Sequence, residues 1–172
     1  PIREIHIPGG LCVPSSYLAA CRQIADMLVA DQMAGRADVD DRLGEIERRV
    51  EAKSAWCRDQ IARAGFTGKS VVCSGHQAAF CGWLGLQVAA TFRGADTASV
   101  QEVEEAIREG ESSGVVAVIA NLPEGRRMAD ALGQRLNARV VVFGNFPMMQ
   151  DEGPAFDALM TSNTAALLES KP

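Results

Sequence analysis

A chain of 172 residues, 47% apolar and 23% charged, can bury one sizeable core, about 70% of its unfolded surface by size scaling. It is short for two full α/β domains, so one domain plus an appendage is expected. The formal net charge of −5, with Lys and Arg scattered among acids, argues against the clustered basic face of a nucleic-acid binder and equally against an anionic membrane surface as partner. The longest uninterrupted apolar stretch, residues 115–120, is far short of the ~20 residues of a membrane helix, so no membrane span is expected. The first residues show no basic region leading into an apolar core, so no signal peptide is expected within the chain.

In chain order, Pro14-Ser15-Ser16 opens a helix with Ser as its expected cap, and Tyr17, Leu18, Cys21, Ile24, Ala25 and Leu28 follow at helical spacing. A second helix, residues 38–64, is expected to start on Asp38 as N-cap, with Val39, Leu43, Ile46, Val50, Cys57 and Ile61 along one stripe. Its roughly 40 Å, at about 1.5 Å per residue, means that it either crosses a domain or joins two. Its apolar stripe needs a cover, either the domain's own face or another copy. After Gly65 and Gly68 strand and helix alternate: strand 70–74, helix 77–84, a weaker strand 87–91, helix 98–111, strand 115–120, helix 124–136, strand 140–143 and a last helix at about 154–168. Short connections between such elements give right-handed crossovers and buried parallel strands, which read as continuous Val/Ile runs. The expected fold class is α/β: a Rossmann-like three-layer domain with a four-stranded, mainly parallel sheet, preceded by a long linker-type helix. The expected division is 1–64, N-terminal segment and long helix, and 65–172, the α/β lobe.

Three of the strand runs end in polar residues at what should be one shared edge: Cys73-Ser74-Gly75-His76, Ala120-Asn121 and Phe143-Gly144-Asn145. Ligands of open α/β sheets sit beyond the strand C-termini, so function is sought around His76, Asn121 and Asn145. Familiar motifs are missing there. The glycines near His76 form neither a GxGxxG nor a Walker loop, Ser74 lacks a nucleophile elbow, and the other histidine, His6, is remote in sequence. Position 79 is Ala, which removes the arginine of a phosphate-cradling cysteine loop. Five cysteines, Cys12, Cys21, Cys57, Cys73 and Cys81, show no paired zinc spacing and leave at least one unpaired. Cys73 precedes His76 by three residues, but alternation along a strand turns such positions to opposite faces. Glu124 reads as the first residue of a helix, stabilising its positive end, with metal ligation as its alternative role.

In order and spacing these segments resemble the C-terminal lobe, with linker helix, of the zinc- and manganese-binding solute-binding proteins of ABC transporters. The stretches that carry the resemblance are the long helix 38–64, the run Lys69-Ser70-Val71-Val72-Cys73-Ser74-Gly75-His76-Gln77-Ala78-Ala79-Phe80, and residues 85–88 leading into Gly94-Ala95-Asp96-Thr97-Ala98-Ser99. Residues 114–121, 129–138 with 140–143, and Phe156-Asp157-Ala158-Leu159-Met160-Thr161-Ser162-Asn163 complete the match.

The resemblance implies a non-enzymatic lobe that binds zinc or manganese between itself and an N-terminal lobe, lies in the periplasm or another extracytoplasmic space, and delivers its ion to an ABC transporter permease. His76 falls where the family places a His or Glu ligand. Asn145 stands where a carboxylate is expected and Asn121 where Glu is common, and an amide carbonyl is a poorer ligand for such ions than a carboxylate. His6, before Pro8-Gly9-Gly10, is the candidate remnant of the other lobe's last histidine. The chain holds little of that lobe, so the rest of the coordination shell would come from a missing N-terminal lobe or a homodimer partner. Two other classes fit the same rim: an α/β small-ligand binder or enzyme with His76 as acid/base and both asparagines as polar contacts, and a degenerate lobe acting as an interaction module.

Overall fold

The computed structural model describes residues 2–7, 9–147 and 155–169. Helix α1 (Pro14–Ala30) runs into the 28-residue α2 (Arg36–Arg63), and four strands then alternate with helices: β1 (Ser70–Ser74), α3 (Ala78–Trp83), β2 (Gln87–Phe92), α4 (Val100–Ser113), β3 (Ala117–Asn121), α5 (Arg127–Leu136), β4 (Arg139–Phe143) and α6 (Ala155–Glu169). The sheet order is β2-β1-β3-β4 with every pair parallel. In-register pairing of Val71 with Ala117 and of Asn121 with Phe143 brings the C-terminal ends of the strands to one rim.

Alternation along the strands sorts their side chains into two cores. Val71, Cys73, Ala117, Ile119, Val141 and Phe143 pack with Val50, Cys57 and Ile61 of α2, Phe80 and Cys81 of α3, and Phe156, Met160 and Leu167 of α6. The opposite face puts Val72, Val118 and Ala120 against Ala106 of α4 and Ala129 and Leu132 of α5. Three layers result, as expected. The stripe of α2 is covered by the domain's own face: Val50, Cys57 and Ile61 are fully buried, Tyr17 of α1 stacks on Phe156 of α6 with centroids 3.9 Å apart, and Arg49 of α2 reaches Asp157 of α6 at 3.2 Å.

Three local expectations are corrected. Pro14 itself occupies the first helical turn of α1, so Val13 is the N-cap, with no side-chain cap bond, and Ser15 and Ser16 lie inside the helix. Gly35 caps α2, and Asp38 sits in the first turn, where its charge still favours the positive end. Glu124 does not begin α5; it ends a one-turn 3-10 helix, Leu122–Glu124, and α5 starts only at Arg127. Gly125, at φ 72° and ψ 178°, breaks the helical path between them.

Candidate functional site

The strand ends at the rim are joined by buried amides. Beyond β1 the chain makes a 3-10 turn, Gly75–Gln77, that exposes His76 and turns Gln77 inward to full burial. Gln77 Nε2 donates to Asn121 Oδ1 at 3.0 Å, at the end of β3, and to the Gly144 carbonyl at 3.2 Å, just past β4. Asn163 of α6 grips the same glycine twice, accepting from its N–H at 2.8 Å and donating to its carbonyl at 3.0 Å. Asn121, 2% exposed, therefore has its side-chain oxygen engaged within the protein. Asn145 is half-buried and lines a cavity of about 360 Å³ with Phe146, Leu122 and Ser162.

Beside them at the rim, His76 and Glu124 form a polar pair. His76 Nε2 and Glu124 Oε1 stand 3.9 Å apart, with the imidazole largely exposed and the carboxylate mostly covered. Ser74, fully buried at the end of β1, sets this pair. Its hydroxyl donates to Glu124 Oε2 at 2.5 Å and accepts the His76 backbone N–H at 3.3 Å. One carboxylate oxygen is thereby fixed and the other is left toward the imidazole. The loop after β2 closes the far side, since a Cβ on Gly94 would lie 3.5 Å from Glu124 Cβ. A gap of 3.9 Å is too long for a hydrogen bond, yet two metal bonds of about 2.1 Å each would span it.

The other residues singled out by sequence have different partners. His6 is exposed, and its backbone N–H and carbonyl are both held by the Gln23 amide of α1, at 3.1 and 2.9 Å. Cys73 points into the core, where it hydrogen-bonds Cys81. That bond, with burial and nearby Cys12, pushes the Cys81 thiol well above its ordinary range. Among the described residues no three His, Cys, Asp or Glu side chains are grouped to hold a metal ion. What the rim offers is one imidazole and one carboxylate, 3.9 Å apart. Ser74 was visible in the sequence only as a polar strand end, and the clue to Glu124 was Gly125, whose helix-breaking position detaches the carboxylate from α5.

Solved structures with this fold include periplasmic metal-binding proteins. The cadmium-bound periplasmic metal-binding protein from Candidatus Liberibacter asiaticus superposes with a TM-score of 0.77 at 13% identity, over 95% of this chain and 63% of that one. The laminin-binding protein Lbp of Streptococcus pyogenes gives 0.75 at 13% identity, over 94% of this chain and 63% of that one. A structure of ZnuA gives 0.73 at 12% identity, over 99% of this chain and 62% of that one. The chain thus spans less than two thirds of each of these three relatives. By sequence it belongs to the family of the periplasmic zinc-uptake complex component A, whose model matches residues 13–170. Comparison with curated protein sequences gives no significant match.

Proposed function

We propose that the chain is the metal-facing lobe of an extracytoplasmic solute-binding protein that hands zinc or manganese to the permease of an ABC importer. Family membership supports the class of protein, and the observation that carries the site is the His76 and Glu124 pair, set at 3.9 Å by the one buried hydroxyl of Ser74. In this reading the imidazole nitrogen and the free carboxylate oxygen are the lobe's contribution to the ion's shell. Zinc normally completes four ligands, so the remainder comes from a partner lobe beyond this chain, a second copy of the chain, or water. Asn121 serves as the acceptor that seats Gln77, and the Glu124 carboxylate supplies the anionic oxygen that Asn145 and Asn121 lack. A nitrogen and oxygen donor set binds zinc more tightly than manganese on the general affinity order, so zinc is the cargo favoured by chemistry. The chain acts as a carrier, with no catalytic step of its own.

Calorimetric titration of the chain with zinc and manganese tests this, alongside His76→Ala and Glu124→Gln. Saturable one-to-one binding, zinc ahead of manganese and weakened at least tenfold by either substitution, is the expected result. Binding indifferent to both substitutions removes the proposed pair, and an intact fold with no binding points to a lobe that acts through partners alone.

A further inference from the structure

At the edge of the sheet opposite His76, where the strands begin, a cleft of about 920 Å³ opens between the end of α2, the loop before β1 and the start of β4. Its charge is one-sided. Among the described residues Arg63, Lys69 and Arg139 line it and no carboxylate does, on a chain whose net charge is −5. Arg139 lies with its guanidinium 4.7 Å from the centre of the Phe66 ring and donates from Nη2 to the Leu167 carbonyl at 2.9 Å. Its Nη1 is buried without any hydrogen-bond partner among the described residues. Burial also pulls the Arg139 pKa down, the mark of a cation partly stripped of water with no counter-charge to replace it. The Lys69 side chain likewise meets no hydrogen-bond or ion-pair partner among the described residues. Among the described residues Arg63 is engaged by Asp59 alone, one turn earlier on α2, at 2.8 Å with its side chain 75% exposed, an arrangement that gives little stability and is easily exchanged.

The Arg139 cation has no counter-charge among the described residues, and the planar fork of Arg suits carboxylate or phosphate. The floor of the cleft is apolar, formed by Phe66, Val115, Val116 and Leu168. We propose that this cleft binds an organic anion, a phosphate or carboxylate head on an apolar body, with Arg139 and Lys69 gripping the head and Phe66 flanking the body. The site lies at the strand N-termini, away from the metal-facing rim, and does not depend on metal binding. A free small molecule and an anionic lipid headgroup share this chemistry.

Amide-resolved NMR titration with phenyl phosphate, phenol and inorganic phosphate, in parallel with sedimentation on phosphatidylglycerol and phosphatidylcholine vesicles, tests the proposal in metal-free buffer. Saturable shifts at Phe66, Val116 and Asn137 with phenyl phosphate, absent with phenol and weakened at least tenfold in Arg139→Gln and in Lys69→Gln, identify a free organic anion. Sedimentation with phosphatidylglycerol vesicles only, lost in the same variants, identifies the lipid headgroup. Lys69 is exposed, so Lys69→Gln keeps the test valid if Arg139→Gln disturbs folding. Absence of both responses in wild type, or responses unchanged by both substitutions, overturns the proposal.

Discussion

Two buried polar side chains, Ser74 and Gln77, do more to define the rim than any residue exposed on it. Gln77 supplies donors to β3 and to the segment after β4, while its own Oε1 is buried without a partner among the described residues. Replacing it with the similarly sized Met sets two effects against each other. Loss of two hydrogen bonds costs about 0.5–1.5 kcal/mol each, and removal of the orphaned oxygen returns part of that. The Gly144 carbonyl keeps its bond from Asn163, so Asn121 Oδ1 is the acceptor left stranded. A net loss of about 1 kcal/mol is expected for Gln77→Met in urea unfolding, and an unchanged midpoint would show that the amide bridge contributes nothing. A second residue gives a pH signature. Glu102, at the start of α4, is held down to about 2 from 4.5, first by Arg93, then by the Ser99 backbone N–H and hydroxyl. A carboxylate lowered in the folded state adds stability that is present above about 4.5 and lost as pH falls toward 2. Melting temperature plotted against pH should therefore fall less steeply across that window in Glu102→Gln than in wild type.

Helix-to-sheet contact at the level of elements rests on glycines whose roles differ. On α5, a Cβ added to Gly133 would stand 2.6 Å from Val140 Cγ2 and 2.9 Å from the Ala138 carbonyl oxygen, and that backbone oxygen cannot swing away. On α2, a Cβ at Gly44 would meet only the end of Arg48, at 3.4 Å. Alanine gains about 1 kcal/mol over glycine inside a helix, while forced overpacking costs about 1–3 kcal/mol. Gly44→Ala should therefore stabilise by up to about 1 kcal/mol and Gly133→Ala should destabilise, as measured by chemical unfolding; equal effects would refute the packing argument. The element pattern was largely legible because buried parallel strands leave continuous apolar runs: residues 70–74 emerged with their full bounds, and the others within two or three residues. Helix starts were the weak point. Pro14 fixes the start of α1 without a side-chain cap, and Gly35 does so for α2, so the Ser and Asp signals were read one element too literally. At the rim, His76 could be placed from its strand, whereas Glu124 was misread because Leu122–Glu124 mimics a helix start until Gly125 interrupts it. Contacts such as Ser74 with Glu124, 50 residues apart, depend on the strand order β2-β1-β3-β4, which local periodicity does not encode.

At the scale of the whole molecule the question is whether the N-terminal helices are an appendage or part of the core. Cys12, Val13, Leu18, Val50, Cys57 and Ile61 share one buried cluster with Val71, Ile119, Phe143 and Phe156, so separating residues 1–64 from the rest would expose much of the larger face of the sheet. Burial of a large aliphatic or aromatic side chain is worth about 1.5–3 kcal/mol, and several such terms exceed the whole stability of a typical domain. The two parts should therefore unfold together. The chain carries a natural pair of reporters, Trp56 on α2 and Trp83 on α3, each near a cation, Lys53 and Arg58 respectively. Trp83→Phe leaves fluorescence from the long helix alone, and Trp56→Phe leaves it from the lobe alone. Each single-tryptophan variant should show the same urea midpoint by fluorescence as by far-ultraviolet circular dichroism. A lower midpoint by fluorescence than by circular dichroism in Trp83→Phe would instead mean that α2 releases first. The helix would then be a hinge able to move against the lobe, and the rim could be carried toward or away from a facing lobe without unfolding the sheet. Coincident midpoints would make α2 a fixed strut of this core.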